Sequence, residues 1–119
     1  MYLFSGILLI LIGIVHSYLG ERYLLLRLFR RDNLPKLFGS IEYTKRTIRF
    51  AWHLTSIAWF GYAAILFKLS GKIDTPIATI IGIVFLAHFL VSLIGSNGKH
   101  FSWVIFLLIT IFVLYATYT

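Results

Sequence analysis

Four histidines, His16, His53, His88 and His100, are the side chains of this sequence best suited to chemistry. Imidazole ligates zinc, copper, iron and nickel, and it exchanges protons close to neutral pH. The chain has no cysteine, so thiolate ligands, cysteine nucleophiles and disulfides are excluded together. Any metal would be held by nitrogen or oxygen. No histidine pair lies at i, i+3 or i+4, so the HExxH type of zinc site is absent, as are a GxSxG nucleophile elbow and a phosphate-cradling glycine loop.

The elements that must carry these rings are apolar. Hydrophobic residues make up 60% of the 119-residue chain and charged ones 13%, and the mean hydropathy is +0.91. Such values belong to a polytopic membrane protein rather than to a soluble domain. A spanning helix needs about 20 largely apolar residues, and four stretches approach this, near 2–20, 50–67, 76–94 and 101–118. The expected fold is therefore all-α, a single four-transmembrane-helix up-down bundle over 1–119. A basic segment, 21–49, joins the first two spans. The amino terminus runs from Met1 into apolar residues without a basic region or cleavage site, and so reads as a retained span rather than a signal peptide. Thr75 before Pro76 is the expected N-cap of the third span, and Gly95-Ser96-Asn97-Gly98 the turn between the last two.

Segment 21–49 interleaves Arg22, Arg27, Arg30, Arg31, Lys36, Lys45, Arg46 and Arg49 with leucines and phenylalanines. It is expected either to lie in the headgroup plane or to continue the first span as a longer helix, broken at Asp32-Asn33-Leu34-Pro35. Ser40 would cap the helix that follows. Since lysine and arginine stay cytoplasmic, this segment points inward and both termini outward, in a membrane of the bacterial inner type. Its charge suits anionic lipid headgroups rather than nucleic acid. The length of the chain is also compatible with a homo-oligomer or a place in a larger membrane complex.

Up-down threading brings all four histidines to the cytoplasmic side. His16 and His53 each lie ~6 Å inside the boundary by helical rise and His88 ~12 Å, while His100 falls at the surface. His16 sits between Gly13 and Gly20, a face bare enough for a neighbouring helix or a flat ligand. His53 shares its face with Arg46, Arg49 and Ser56, and His88 with Ser92 and Gly95. The expectation is that His16, His53 and His88 hold a transition metal or a b-type haem, for redox or metal-dependent chemistry or metal handling. The second imidazole nitrogen would be fixed by Ser17, Ser56, Thr55, Ser92 or Tyr62. Arg46 and Arg49 could receive an anionic group such as a haem propionate, a lipid phosphate or a substrate carboxylate, with Glu21 and Glu42 as alternative partners. No acidic residue falls within the four expected spans. Two other functions fit the same residues: a small transporter, channel or lipid-binding subunit lined by the polar stripe 46–56, and an accessory subunit without chemistry of its own. Whether a reaction is catalysed stays open.

Overall fold

The computed structural model describes residues 1–119 and is helical throughout, with no β-strand. Helix α1, Tyr2–Leu19, passes without a break into a π-helical segment, Gly20–Leu25, and then into one turn of α-helix, α2, Leu26–Leu28. The Leu26 amide donates to the Glu21 carbonyl, five residues back, which is the wider hydrogen-bond step of a π-helix. The long helix α3, Ile41–Gly71, follows, then α4, Thr75–Gly95, and α5, Ser102–Tyr118. Three helical runs are long and apolar enough to cross a membrane: Tyr2–Leu28 with 27 residues, Ile41–Gly71 with 31 and Thr75–Gly95 with 21. The fourth expected span forms an apolar helix of only 17 residues, ~25 Å by helical rise against a hydrocarbon core of ~30 Å. The first helix takes the longer of its two expected forms, so Glu21 is a helical residue and not part of a loop.

Helix ends follow from local chemistry. The third apolar helix is capped by Asp74 and not by Thr75: the Asp74 carboxylate accepts from the Ile77 amide at 3.1 Å, and Thr75 is already helical. A carboxylate at this position also complements the positive helix end, which a hydroxyl does not. Ser40 caps α3 as its position implies, its Oγ accepting from the Tyr43 amide at 3.2 Å. After Gly95, Asn97 takes a left-handed φ of 52°, and the Gly98 and Asn97 amides return to the carbonyls of Leu93 and Ile94. That pairing is a Schellman ending.

The chain forms two compact units, Met1–Leu9 with Tyr62–Thr119, and Ile10–Gly61. In the first, Ala78, Ile81, Gly82 and Phe85 of α4 are buried, as are Phe106, Ile109, Thr110 and Val113 of α5. Both sets recur at helical spacing and so line one stripe of each helix. A Cβ on Gly82 would come within 2.3 Å of Leu114, so glycine is what lets the two helices approach. Tyr2 and Thr117 hydroxyls meet at 2.8 Å, those of Thr79 and Tyr118 at 2.6 Å. In the second unit, residues 13, 16, 17 and 21 of the first helix face 60, 52, 56 and 49 of α3, so the two helices run antiparallel. Large apolar side chains such as Leu11, Ile14, Ile57, Ile80 and Val91 point outward and exposed. Facing water they would form a large apolar patch; facing lipid they cost nothing.

One core atom is left without a partner. Ser5 is fully buried and its Oγ makes no hydrogen bond. An unpaired buried hydroxyl costs ~1–3 kcal/mol, so Ser5→Ala is expected to stabilise the protein by about 1 kcal/mol. A thermal melt in detergent reads this directly: a rise in midpoint agrees, and a fall means that the hydroxyl has a partner after all.

Candidate functional site

The polar side chains of the Ile10–Gly61 unit gather in one row. Ser17 and Glu21 are four residues apart on the first helix, and Arg49, His53 and Ser56 are spaced by four and three on α3, so each set shares a helix face. Antiparallel packing then matches them in order. The Glu21 carboxylate lies 3.0 Å from Arg49 Nε through Oε1 and 3.1 Å from His53 Nε2 through Oε2. On the other side of the ring, His53 Nδ1 is 2.9 Å from Ser17 Oγ, and Ser17 Oγ donates to Ser56 Oγ at 2.7 Å. The row runs from partly exposed Arg49, through Glu21 and His53, to Ser56, which is 2% exposed.

Proton counting defines what this row can do. Ser17 has one hydroxyl proton. When it points to Ser56, both ring nitrogens of His53 must donate, Nδ1 to Ser17 and Nε2 to Glu21, and the imidazole is charged. When the Ser17 proton turns to Nδ1, the ring is neutral and still donates to Glu21. The charged arrangement keeps every bond of the row, the neutral one keeps the Ser17–Ser56 contact only with Ser56 as its donor, and the two differ by one proton. A charged ring beside Glu21 and Arg49 leaves the three groups with a net single positive charge, and a neutral ring leaves a compensated ion pair.

His16 is held differently. Its ring stacks on Trp52 with centroids 4.4 Å apart and planes 5° from parallel, and meets Trp59 edge-on at 4.9 Å. Trp52 Nε1 donates to the His16 carbonyl at 3.0 Å, while His16 Nε2 lies 3.3 Å from the Trp52 carbonyl. The flat group that the bare glycine face admits is thus the protein's own indole. A Cβ on Gly20 would fall 1.9 Å from Trp52 Nε1, and one on Gly13 would fall 2.5 Å from the Phe60 ring.

His88 belongs to the other unit, where its Nδ1 lies 2.8 Å from the Val84 carbonyl and its ring lies between Phe85, at 4.9 Å, and Phe106, at 5.2 Å. His100 is exposed and bonds Ser102 Oγ at 2.8 Å. No three histidine, aspartate or glutamate side chains gather closely enough to hold a metal ion. Of the expected anion-binding arginines, Arg46 pairs with Glu42 in an exposed i, i+4 contact of 3.5 Å, a kind worth ~0.3–0.5 kcal/mol. Arg49 pairs with Glu21, and its guanidinium carbon stands 5.0 Å from the centre of the Phe29 ring. The expected span ends set Glu21 outside the membrane and hid its part in the row; the four-residue spacing of Ser17 and Glu21 was the available signal.

No protein-family model, no curated protein and no solved structure matches this chain.

The Trp52 clasp offers a local test. Gly20→Ala must push a ring that is fixed on one face by His16 and at its edge by a hydrogen bond. Overpacking of this kind costs ~1–3 kcal/mol. Gly61→Ala, where a Cβ meets nothing within 4 Å, is the control. Gly20→Ala should lower the melting midpoint and red-shift tryptophan emission, with Gly61→Ala unchanged or slightly stabilised; equal behaviour of the two variants would remove the clasp from the account.

Proposed function

We propose that this chain is a small multi-pass membrane protein that moves a proton along the row Glu21, His53, Ser17 and Ser56, in the service of a transport function. The observation that carries the proposal is the unbroken hydrogen bonding from a partly exposed carboxylate to a buried hydroxyl. Starting from the charged ring, the Nδ1 proton passes to Ser17 Oγ as the Ser17 proton passes to Ser56 Oγ and the Ser56 proton to a water or solute molecule beyond it. The ring is left neutral with its proton on Nε2, and a flip of the ring turns the bare nitrogen toward the next proton from the Glu21 side. Intramembrane ionisable groups mark proton and solute paths by default, and imidazole is the side chain whose ordinary titration range fits neutral pH. The proposed frame is an up-down bundle with α5 as its fourth span, both termini outside and the basic segment 21–49 in the cytoplasm of a cell with a bacterial-type inner membrane.

The competing proposal is a transition metal or haem held by His16, His53 and His88. It asks more of the chain. His53 already spends Nδ1 on Ser17 and Nε2 on Glu21, so ligation through either nitrogen gives up one of those bonds.

Reconstituted vesicles with a trapped pH dye separate the two. A proton flux that survives chelation, and that falls about a hundredfold in Ser17→Ala and His53→Ala, the scale of losing a positioned proton-transfer group, supports the relay. Wild-type flux in both variants overturns it. Stoichiometric metal by elemental analysis, or a Soret band, favours the competing proposal.

A further inference from the structure

We infer that Arg49 is the receptor of an oxyanion binding site that takes a phosphate or carboxylate group between its terminal nitrogens. Both contacts of Arg49 with Glu21 are made through Nε, at 3.0 and 3.3 Å. The hydrogen bond to Glu21 leaves from Nε and not from the two terminal nitrogens, which form the fork of the guanidinium. The group is nevertheless fixed: Glu21 holds its Nε edge, and the Phe29 ring lies against it at 5.0 Å. Glu21 is itself held from its far side by His53. An arginine anchored by one edge and backed by an aromatic ring has little rotamer entropy left to lose when a planar acceptor arrives, and the fork geometry fits two oxygens of one carboxylate or phosphate.

Charge and position favour the same class of ligand. The side chain of Arg49 is 44% exposed, so the fork is reachable. Segment 21–49 carries Arg22, Arg27, Arg30, Arg31, Lys36 and Lys45, none of them in an ion pair, against Asp32 alone once the Glu42–Arg46 and Glu21–Arg49 pairs are set aside. Such a field concentrates anions near the fork without itself supplying geometry. Arg46 differs in each respect: it is 78% exposed, has no ring behind it and pairs only with exposed Glu42. The same oxyanion could come from a lipid headgroup or from a free solute. The inference is independent of the proton relay, since no bond of the relay has to break for the fork to be filled.

The test uses the full chain in two arms, each with Arg49→Lys, Phe29→Leu and Arg46→Gln. Lysine keeps the charge beside Glu21, so the fold has its ion pair, but it removes the fork. In the first arm, native mass spectrometry counts phosphatidylglycerol carried over from mixed phosphatidylglycerol and phosphatidylcholine nanodiscs. In the second, inorganic phosphate and acetate are titrated calorimetrically into protein in a zwitterionic detergent. Saturable binding of one anion per chain in either arm, weakened about tenfold by Arg49→Lys and severalfold by Phe29→Leu but little changed by Arg46→Gln, supports the site. The arm that responds names the source. Equal binding by wild type and Arg49→Lys overturns it in favour of diffuse charge, as do equal losses at Arg46 and Arg49. Absence of saturable binding in both arms overturns it outright. Proton flux measured on the same samples reports on the relay separately.

Discussion

A carboxylate drawn into a helix contact is best tolerated where cations and donors meet it, and Glu21 satisfies that requirement with two residues of a second helix. Arg49 and His53 both reach it within 3.1 Å. Removing either partner would leave the carboxylate with one donor fewer, a modest loss because the side chains are about a third exposed or more. The position of Glu21 therefore fixes the register between the first helix and α3 over this stretch: a slip by one residue would separate the carboxylate from both partners. Ser17 meets Ser56 and His53 because that register is already set.

Apolar packing keeps the register from the other side. Gly13 and Gly20 lie seven residues apart and accept the rings of Phe60 and Trp52. Without a hydrophobic drive between helices in lipid, close van der Waals approach of this kind is a main source of association. The indole adds direction, because its N–H donates to the His16 carbonyl while its face covers the His16 ring. Two adjacent residues of the first helix thus serve different ends. His16 is clamped among aromatic rings, and Ser17 joins a row of hydrogen-bonded polar side chains.

Much of this was legible in the sequence, and the limits have physical reasons. Hydropathy located the four apolar stretches, and Glu21 and Glu42, offered by the sequence only as alternative partners of Arg46 and Arg49, pair with Arg49 and Arg46 respectively. Gly13 and Gly20, read beside His16 as a bare face, and Gly6 seven residues earlier are packed by Phe60, Trp52 and Phe67 in turn. What a sequence cannot give is which hydrogen-bond partner each imidazole meets across a helix contact, since that depends on helix rotation. The threading grouped His16, His53 and His88 by depth, whereas side-chain direction sends them to three different settings: an indole stack, a hydroxyl and a carboxylate, and a phenylalanine pair. Asp74 was passed over as a cap because a Thr-Pro pair is a strong signal, yet the residue one position earlier has the carboxylate that reaches the free amide.

The π-helical segment explains how one helix face can serve the whole site. Ser17, Glu21, Leu25 and Phe29 are spaced by four residues. In an undisturbed α-helix each such step drifts by about 40°, so Phe29 would sit about 120° away from Ser17 around the axis. The wider turn over Gly20–Leu25 counters that drift. Leu25 is fully buried and the Phe29 ring lies against Arg49, whose Nε is bound to Glu21. One local change of helix type thereby carries a hydroxyl, a carboxylate and an aromatic backing to the same neighbour. Gly20, at the start of the segment, leaves the room for Trp52 on that face. The backbone irregularity and the surroundings of Arg49 are two aspects of a single arrangement: Glu21 and Phe29 meet Arg49 from positions two turns apart, and an α-helix alone would rotate Phe29 away from that neighbour.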